Sequence, residues 1–174
     1  MFEHETTGGE VATGAALGAL AGLAASAAMG PLTSDLARRQ PERGRRQEAN
    51  VARRIGGAPA VKAAEKLASA AGTRLPGRGR SLAGEVVHYG FGTFWGAAFG
   101  ALAARWKPLP PGAGVALGIL LWLSMDEAAL PALGLSGKPG EYPRESHVRG
   151  LAGHLLYGVV LDRSLALLRS AVGR

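Results

Sequence analysis

Four stretches without Asp, Glu, Lys or Arg alternate with polar connections along this chain: residues 11–34, 86–104, 108–125 and 150–161. A helix needs about 20 apolar residues to cross about 30 Å of hydrocarbon, and the first three stretches are close to that length. The fourth is bounded by Arg149, Asp162 and Arg163, and gains spanning length when Leu165, Leu167 and Leu168 continue its helix. Small residues recur inside these stretches at every fourth position. Gly14, Gly18 and Gly22 form one ridge, and Gly92, Gly96 and Gly100, headed by His88, a second. Gly114 and Gly118 lead to Trp122 and Asp126, while Gly150 and Gly158 enclose His154. Residues four apart share a helix face, and in lipid a face of small residues lets two backbones approach. The pattern predicts an all-α fold: a four-helix transmembrane bundle, a single integral membrane domain over residues 1–174. Its spans fall at about 11–33, 86–104, 109–126 and 148–168.

The connections differ in kind. Residues 34–84 form a long basic loop with ten Arg and two Lys against four acids. Within it, residues 59–71 combine good helix formers with Val61, Ala64, Leu67 and Ala68 on one side and Lys62, Glu65 and Lys66 around the other, which predicts a short surface helix. The connection between spans three and four is broken repeatedly by Pro131, Gly134, Gly137, Pro139, Gly140 and Pro143, and is expected to fold back as a Pro/Gly-rich cap.

Composition adds a qualification. Hydrophobic residues make up 47% of the chain, yet the mean hydropathy is only +0.10, because Ala and Gly dominate the apolar count and the basic loop offsets it. Residues 1–10 hold three Glu and no Lys or Arg, the wrong charge for a secretory signal. With no Cys there is neither a disulfide framework nor a thiolate metal ligand. Heavy use of Ala, Gly and Arg fits a bacterial genome of high GC content.

The net charge of +7 is concentrated on one side of the expected bundle. The basic loop and the third connection carry fifteen of the twenty basic residues, leaving Arg105, Lys107, Arg163, Arg169 and Arg174 opposite. The excess of positive charge on cytoplasmic loops places that side in the cytoplasm and both termini outside, in a bacterial inner membrane. Arg38, Arg39, Arg45, Arg46, Arg53 and Arg54 are the candidates for contact with anionic lipid headgroups. The plainer reading, preferred here, is a solvated connector whose charges fix topology. Nucleic-acid binding is not expected, since the Arg run lacks interleaved aromatics and any binding motif.

Alternating helix directions bring His88, Asp126, Glu127, His147 and His154 to one side of the membrane. Ionisable groups at membrane depth cost on the order of 3 kcal/mol each unless paired or hydrated, so a His and carboxylate cluster is the candidate site. It reads as proton-linked or ligand-binding, or as a polar clamp that fixes helix register. Metal binding by His88, Asp126, His147 and His154, or haem ligation by His88 and His154, is chemically allowed, but no local spacing resembles a ligand motif. No cofactor is therefore expected. The aromatics of span two, with Trp106 and Trp122, read as lipid-facing or belt residues.

The stretches HYGFGTFWGAAFGAL (88–102), WLSMDEAALPALGL (122–135) and HVRGLAGHLLYG (147–158) resemble the YagU-type family of small bacterial inner-membrane proteins. The resemblance covers about residues 84–168, with His88, Pro131, Gly134, Leu135, Gly153 and His154 at the matching positions. It implies four spans and, for some members, an association with acid tolerance; the activity of the family is largely uncharacterised. The unusually basic first loop departs from the pattern and bears on orientation.

Three classes of function follow. One is a small multi-pass membrane protein whose polar cluster relays protons or binds a ligand, with homo-oligomerisation through the glycine faces. Another is an accessory subunit that docks into a larger membrane complex through those faces. The third is a metal- or haem-binding membrane protein. An enzyme is the least expected, because no nucleophile elbow, phosphate loop or cofactor fingerprint is present.

Overall fold

The computed structural model describes residues 7–106, 109–110 and 112–173. The acid-rich start at residues 1–6, and Lys107 and Arg174 of the opposite side, lie outside the described residues. Among those described, the regular structure is entirely helical. The elements are α1 (Gly8–Arg39), α2 (Glu42–Ile55), α3 (Pro59–Ala70), α4 (Arg78–Arg105), α5 (Ala113–Leu121), α6 (Leu130–Ala132) and α7 (Arg144–Ala171). A π-helical segment, Trp122–Ala129, joins α5 to α6, and one 3₁₀ turn, Pro139–Glu141, precedes α7.

Three helices are long and apolar enough to cross a membrane: α1, the continuous helix Ala113–Ala132, and α7. Less than half of each apolar window is buried within the chain, and Leu20, Leu23, Ile119, Leu120, Leu123 and Val159 are exposed on them. Such outward apolar surface suits lipid rather than water. Helix α4 is not in this set. Its charge-free stretch contains His88, Tyr89, Thr93 and Trp95 together with four glycines, which dilute its apolar character.

Short signals in the sequence set the helix ends. Thr7 and Glu10 form a capping box, in which Glu10 N–H donates to Thr7 Oγ1 at 3.3 Å and Thr7 N–H donates to Glu10 Oε2 at 3.0 Å. Gln40 and Pro41 are extended, which separates α1 from α2. Gly56, at φ 94°, ends α2 in the left-handed conformation. Pro59 opens α3 at a position where its missing N–H has no partner to lose.

Glycine ridges build the core. Helix α1 lies between α4 and α7, and α5 packs on α7. Gly14, Gly18 and Gly22 of α1 meet Gly100, Gly96 and Gly92 of α4, so the two helices run antiparallel with their backbones in contact. A Cβ on Gly18 would stand 2.2 Å from the Gly96 carbonyl oxygen, and one on Gly96 would stand 2.4 Å from that of Gly18. Gly114 and Gly118 of α5 make the same close approach to the Gly158 and His154 carbonyls of α7. Around these seams Ala21, Ala25, Phe99, Ala103, Leu121, Tyr157, Leu161 and Leu165 form the buried core. Tyr157 crosses from α7 to α4, donating its hydroxyl to the Gly92 carbonyl at 2.6 Å. The ridges thus pair within one chain.

Two sequence expectations need correction. The stretch 34–84 is not a loop: α1 runs on through Pro31 to Arg39, and α2 and α3 fill most of the remainder. Helix α2 was not expected because ERGRRQEANVARRI is strongly polar on average, and its less polar face buries only Gly44 and Val51. The third apolar helix does not stop at residue 126 but continues to Ala132. Leu130 N–H bonds to the Met125 carbonyl five residues back, and this wide turn admits Pro131, which has no N–H of its own.

Candidate functional site

The π-helical segment Trp122–Ala129 carries both acids of the expected cluster. Ser124 helps to open it, because its hydroxyl donates to the Leu120 carbonyl at 2.6 Å and competes with the regular backbone ladder. In an α-helix, consecutive residues diverge by about 100°; the wider turn here lets Asp126 and Glu127 each reach a histidine of α7.

Glu127 Oε1 stands 2.6 Å from His147 Nδ1, with both side chains mostly covered. His147 Nε2 lies 3.1 Å from the Pro139 carbonyl oxygen. A carbonyl oxygen only accepts, so Nε2 carries a proton and donates it. The Glu127 contact needs a second proton, held either by Nδ1 beside a carboxylate or by the carboxyl beside a bare nitrogen. The pair with its carbonyl therefore satisfies all its contacts only while it retains both protons.

Asp126 pairs with His154 less closely. His154 Nδ1 is 3.0 Å from the Gly150 carbonyl oxygen and 3.7 Å from Asp126 Oδ2. Gly150 provides the space, because a Cβ there would stand 3.2 Å from Asp126 Oδ2 and 3.3 Å from Trp122 Nε1. The indole N–H of Trp122 is buried beside them without a hydrogen-bond partner among the described residues.

The cap is held from two directions. Lys138 N–H donates to Glu141 Oε2 at 2.7 Å, and Gly137 N–H donates to the Tyr142 hydroxyl at 3.1 Å. These bonds fix the turn that presents the Pro139 carbonyl to His147. Helix α2 then covers the turn: Gln47 Nε2 donates to the Glu141 carbonyl at 2.9 Å, and the Arg54 guanidinium lies 2.6 Å from Glu141 Oε2. Hydrogen bonding by Arg54, aided by the Lys138 N–H, holds the Glu141 carboxyl below the usual carboxylate range. Beside this contact Arg149 grips Glu48 at 2.5 Å and Gln40 Oε1 at 2.5 Å, and the Ser146 hydroxyl also donates to Glu48.

The five expected site residues thus divide. Glu127 meets His147 and Asp126 approaches His154, but His88 joins neither pair. It sits on α4, which packs on α1, whereas the acids sit on the helix that packs on α7; its ring stands edge-on to Tyr89 at 5.4 Å. Among the described residues no three His, Asp or Glu side chains converge to hold a metal ion. The six arginines expected at headgroups are exposed, and each has a partner within the chain. Arg38 and Arg39 share Asp35, Arg45 and Arg46 share Glu42, Arg53 bonds Asn50 and Arg54 reaches Glu141. Gln40, Gln47, Glu48 and Arg149 are site residues that the sequence did not mark, since their partners lie 94 to 109 positions away.

A family profile described as "Protein of unknown function (DUF1440)" matches residues 39–163. No curated protein and no solved structure matches the chain.

Proposed function

This chain belongs to the DUF1440 family, whose function is unknown, and we propose that it is a small four-span protein of the bacterial inner membrane whose Glu127–His147 pair couples proton exchange to movement of the cap. The observation that supports this most is the placement of His147, with Glu127 on one ring nitrogen and the Pro139 carbonyl on the other. When the pair gives up a proton, a neutral imidazole keeps one N–H for two acceptors, so one contact is released. Release at Pro139 frees the turn at 139–141, and release at Glu127 frees the carboxylate toward the neighbouring Asp126. His154, two turns further along α7, and Asp126, the residue before Glu127, are the next groups along that path.

The resemblance of residues 84–168 to YagU-type inner-membrane proteins agrees with this placement. Helix α4, in close backbone contact with α1, serves as the fourth span, and the side that bears α2 and α3 faces the cytoplasm. That the glycine faces pack within the chain supports this reading over an accessory subunit docking through them.

Reconstitution tests the proposal. Vesicles enclosing a pH-sensitive dye and containing the wild-type chain are expected to equilibrate an imposed pH difference faster than vesicles containing Glu127→Gln or His147→Gln, with all three proteins folded. Equal rates in the three preparations would refute it.

A further inference from the structure

An apolar trough of about 420 Å³ runs between α3 and the first turns of α4. Its walls include Ala64, Leu67, Leu75, Leu82, Val86 and Val87. Leu67, Leu82 and Val86 are each about two-thirds exposed, 65%, 67% and 65%, although burial of such side chains is favourable. The trough begins among the polar turns of α4 and ends where the charge-free stretch starts at Val86. With α4 as the fourth span proposed above, on which this inference rests, that is the depth at which it passes from headgroups into hydrocarbon.

Charge defines the rim. Between residues 62 and 80 there are five basic side chains and a single acid, Glu65. Lys62, at 2.9 Å, and Arg80, at 2.5 Å, both contact Glu65. The Lys66 ammonium donates to the Leu133 carbonyl at 2.7 Å. Arg74 and Arg78 remain. Both are exposed, they flank Leu75 of the trough, and among the described residues neither forms a hydrogen bond or ion pair. Glu85, the next acid along α4, is outside the trough lining.

We infer that this trough receives an acyl chain of an anionic phospholipid while Arg74 and Arg78 hold its headgroup phosphate. An apolar channel opening at membrane depth beside two uncommitted guanidiniums complements a lipid that is apolar at one end and anionic at the other. Guanidinium suits phosphate through paired N–H donors. The site differs from the six arginines of α1 and α2 that the sequence put forward, because each of those already has a partner.

Native mass spectrometry of the full-length detergent-purified chain tests the inference, with phosphatidylglycerol and phosphatidylcholine of identical acyl chains as probes. The wild type is expected to retain phosphatidylglycerol about tenfold more strongly, about 1.4 kcal/mol. Arg74→Gln with Arg78→Gln is expected to remove the preference and leave the melting temperature unchanged, since both side chains are exposed. Leu82→Glu is expected to weaken retention of both lipids. Equal retention of the two lipids by the wild type, or an unaltered preference in the double variant, would overturn the proposal. It would also fall if light scattering found a dimer of the wild type that Leu82→Glu dissolves, because the trough would then be a contact between copies of this chain.

Discussion

Two carboxylates near the cap hold it through different partners, Arg54 for Glu141 and His147 for Glu127, and single substitutions separate them. Glu141 is held below the ordinary carboxylate value, first by its hydrogen bond with Arg54. A depressed native value stabilises the docked cap above the unfolded value of about 4.3, and that stability is lost as the pH falls through the lower native value. Amide exchange in residues 133–143, corrected for its intrinsic pH dependence, is therefore expected to quicken in acid for the wild type but not for Glu141→Gln. Glu127 acts through its contact with His147, whose other ring nitrogen meets the Pro139 carbonyl. Glu127→Gln retains a donor toward Nδ1 and is expected to cost less than about 1 kcal/mol, whereas His147→Ala strands a mostly covered carboxylate and costs about 1–3 kcal/mol. Thermal unfolding in detergent separates these two variants, and equal losses would contradict the assignment.

The helices are positioned by what their glycines lack. At Gly18 and Gly96 the nearest atoms to an added Cβ belong to the facing backbone, which cannot rotate away as a side chain can. Gly18→Leu, Gly96→Leu and Gly118→Leu are each expected to cost about 3 kcal/mol or more. Gly90, in the same helix as Gly96, has no atom within 4 Å of such a Cβ, so Gly90→Ala is expected to hold stability or raise it by up to about 1 kcal/mol. Thermal melts of the four variants check the contrast, and a Gly96→Leu protein as stable as Gly90→Ala would remove the case for backbone contact. This seam was legible in the sequence, because four-residue spacing maps directly onto one helix face. The π-helical turn was not. It depends on a shift of one hydrogen-bond register between Leu121 and Leu130, and Pro131 with Gly134 read as breakers rather than as the end of a continuing helix. Deleting Ser124 is expected to return the segment to α-helical register and part Glu127 from His147 while helix content holds, as circular dichroism combined with the amide-exchange profile would report.

At the scale of the whole molecule, the sequence located the polar end but not its roof. Opposed helix directions sufficed to bring Asp126, Glu127, His147 and His154 to one end. They put His88 at that end as well but not into either pair, because which helices touch is decided by how the ridges pair, with α4 on α1 and α5 on α7. The roof escaped for a different reason: α2 is too polar on average to read as a packed helix, and its partners are long-range charges such as Arg149 with Glu48 that no local pattern announces. Once that roof is recognised, the basic residues acquire two duties. Arg54 and Arg149 lock α2 to the cap, while those on the outer surface of α1 and α2 leave an excess of positive charge on that side. The second duty yields a prediction about the chain as a unit, since positive charge is retained in the cytoplasm. The chain has no cysteine, so one introduced thiol reports its own location without further changes. Ala49→Cys on exposed α2 and Ser170→Cys on the last turn of α7 lie toward opposite ends of the molecule. A membrane-impermeant maleimide is expected to label Ser170→Cys in intact spheroplasts and Ala49→Cys only in inside-out vesicles. Labelling of both from one side would rule out an odd number of spans between α2 and the end of α7, hence the three formed by α4, α5 and α7, and with it the four-span bundle.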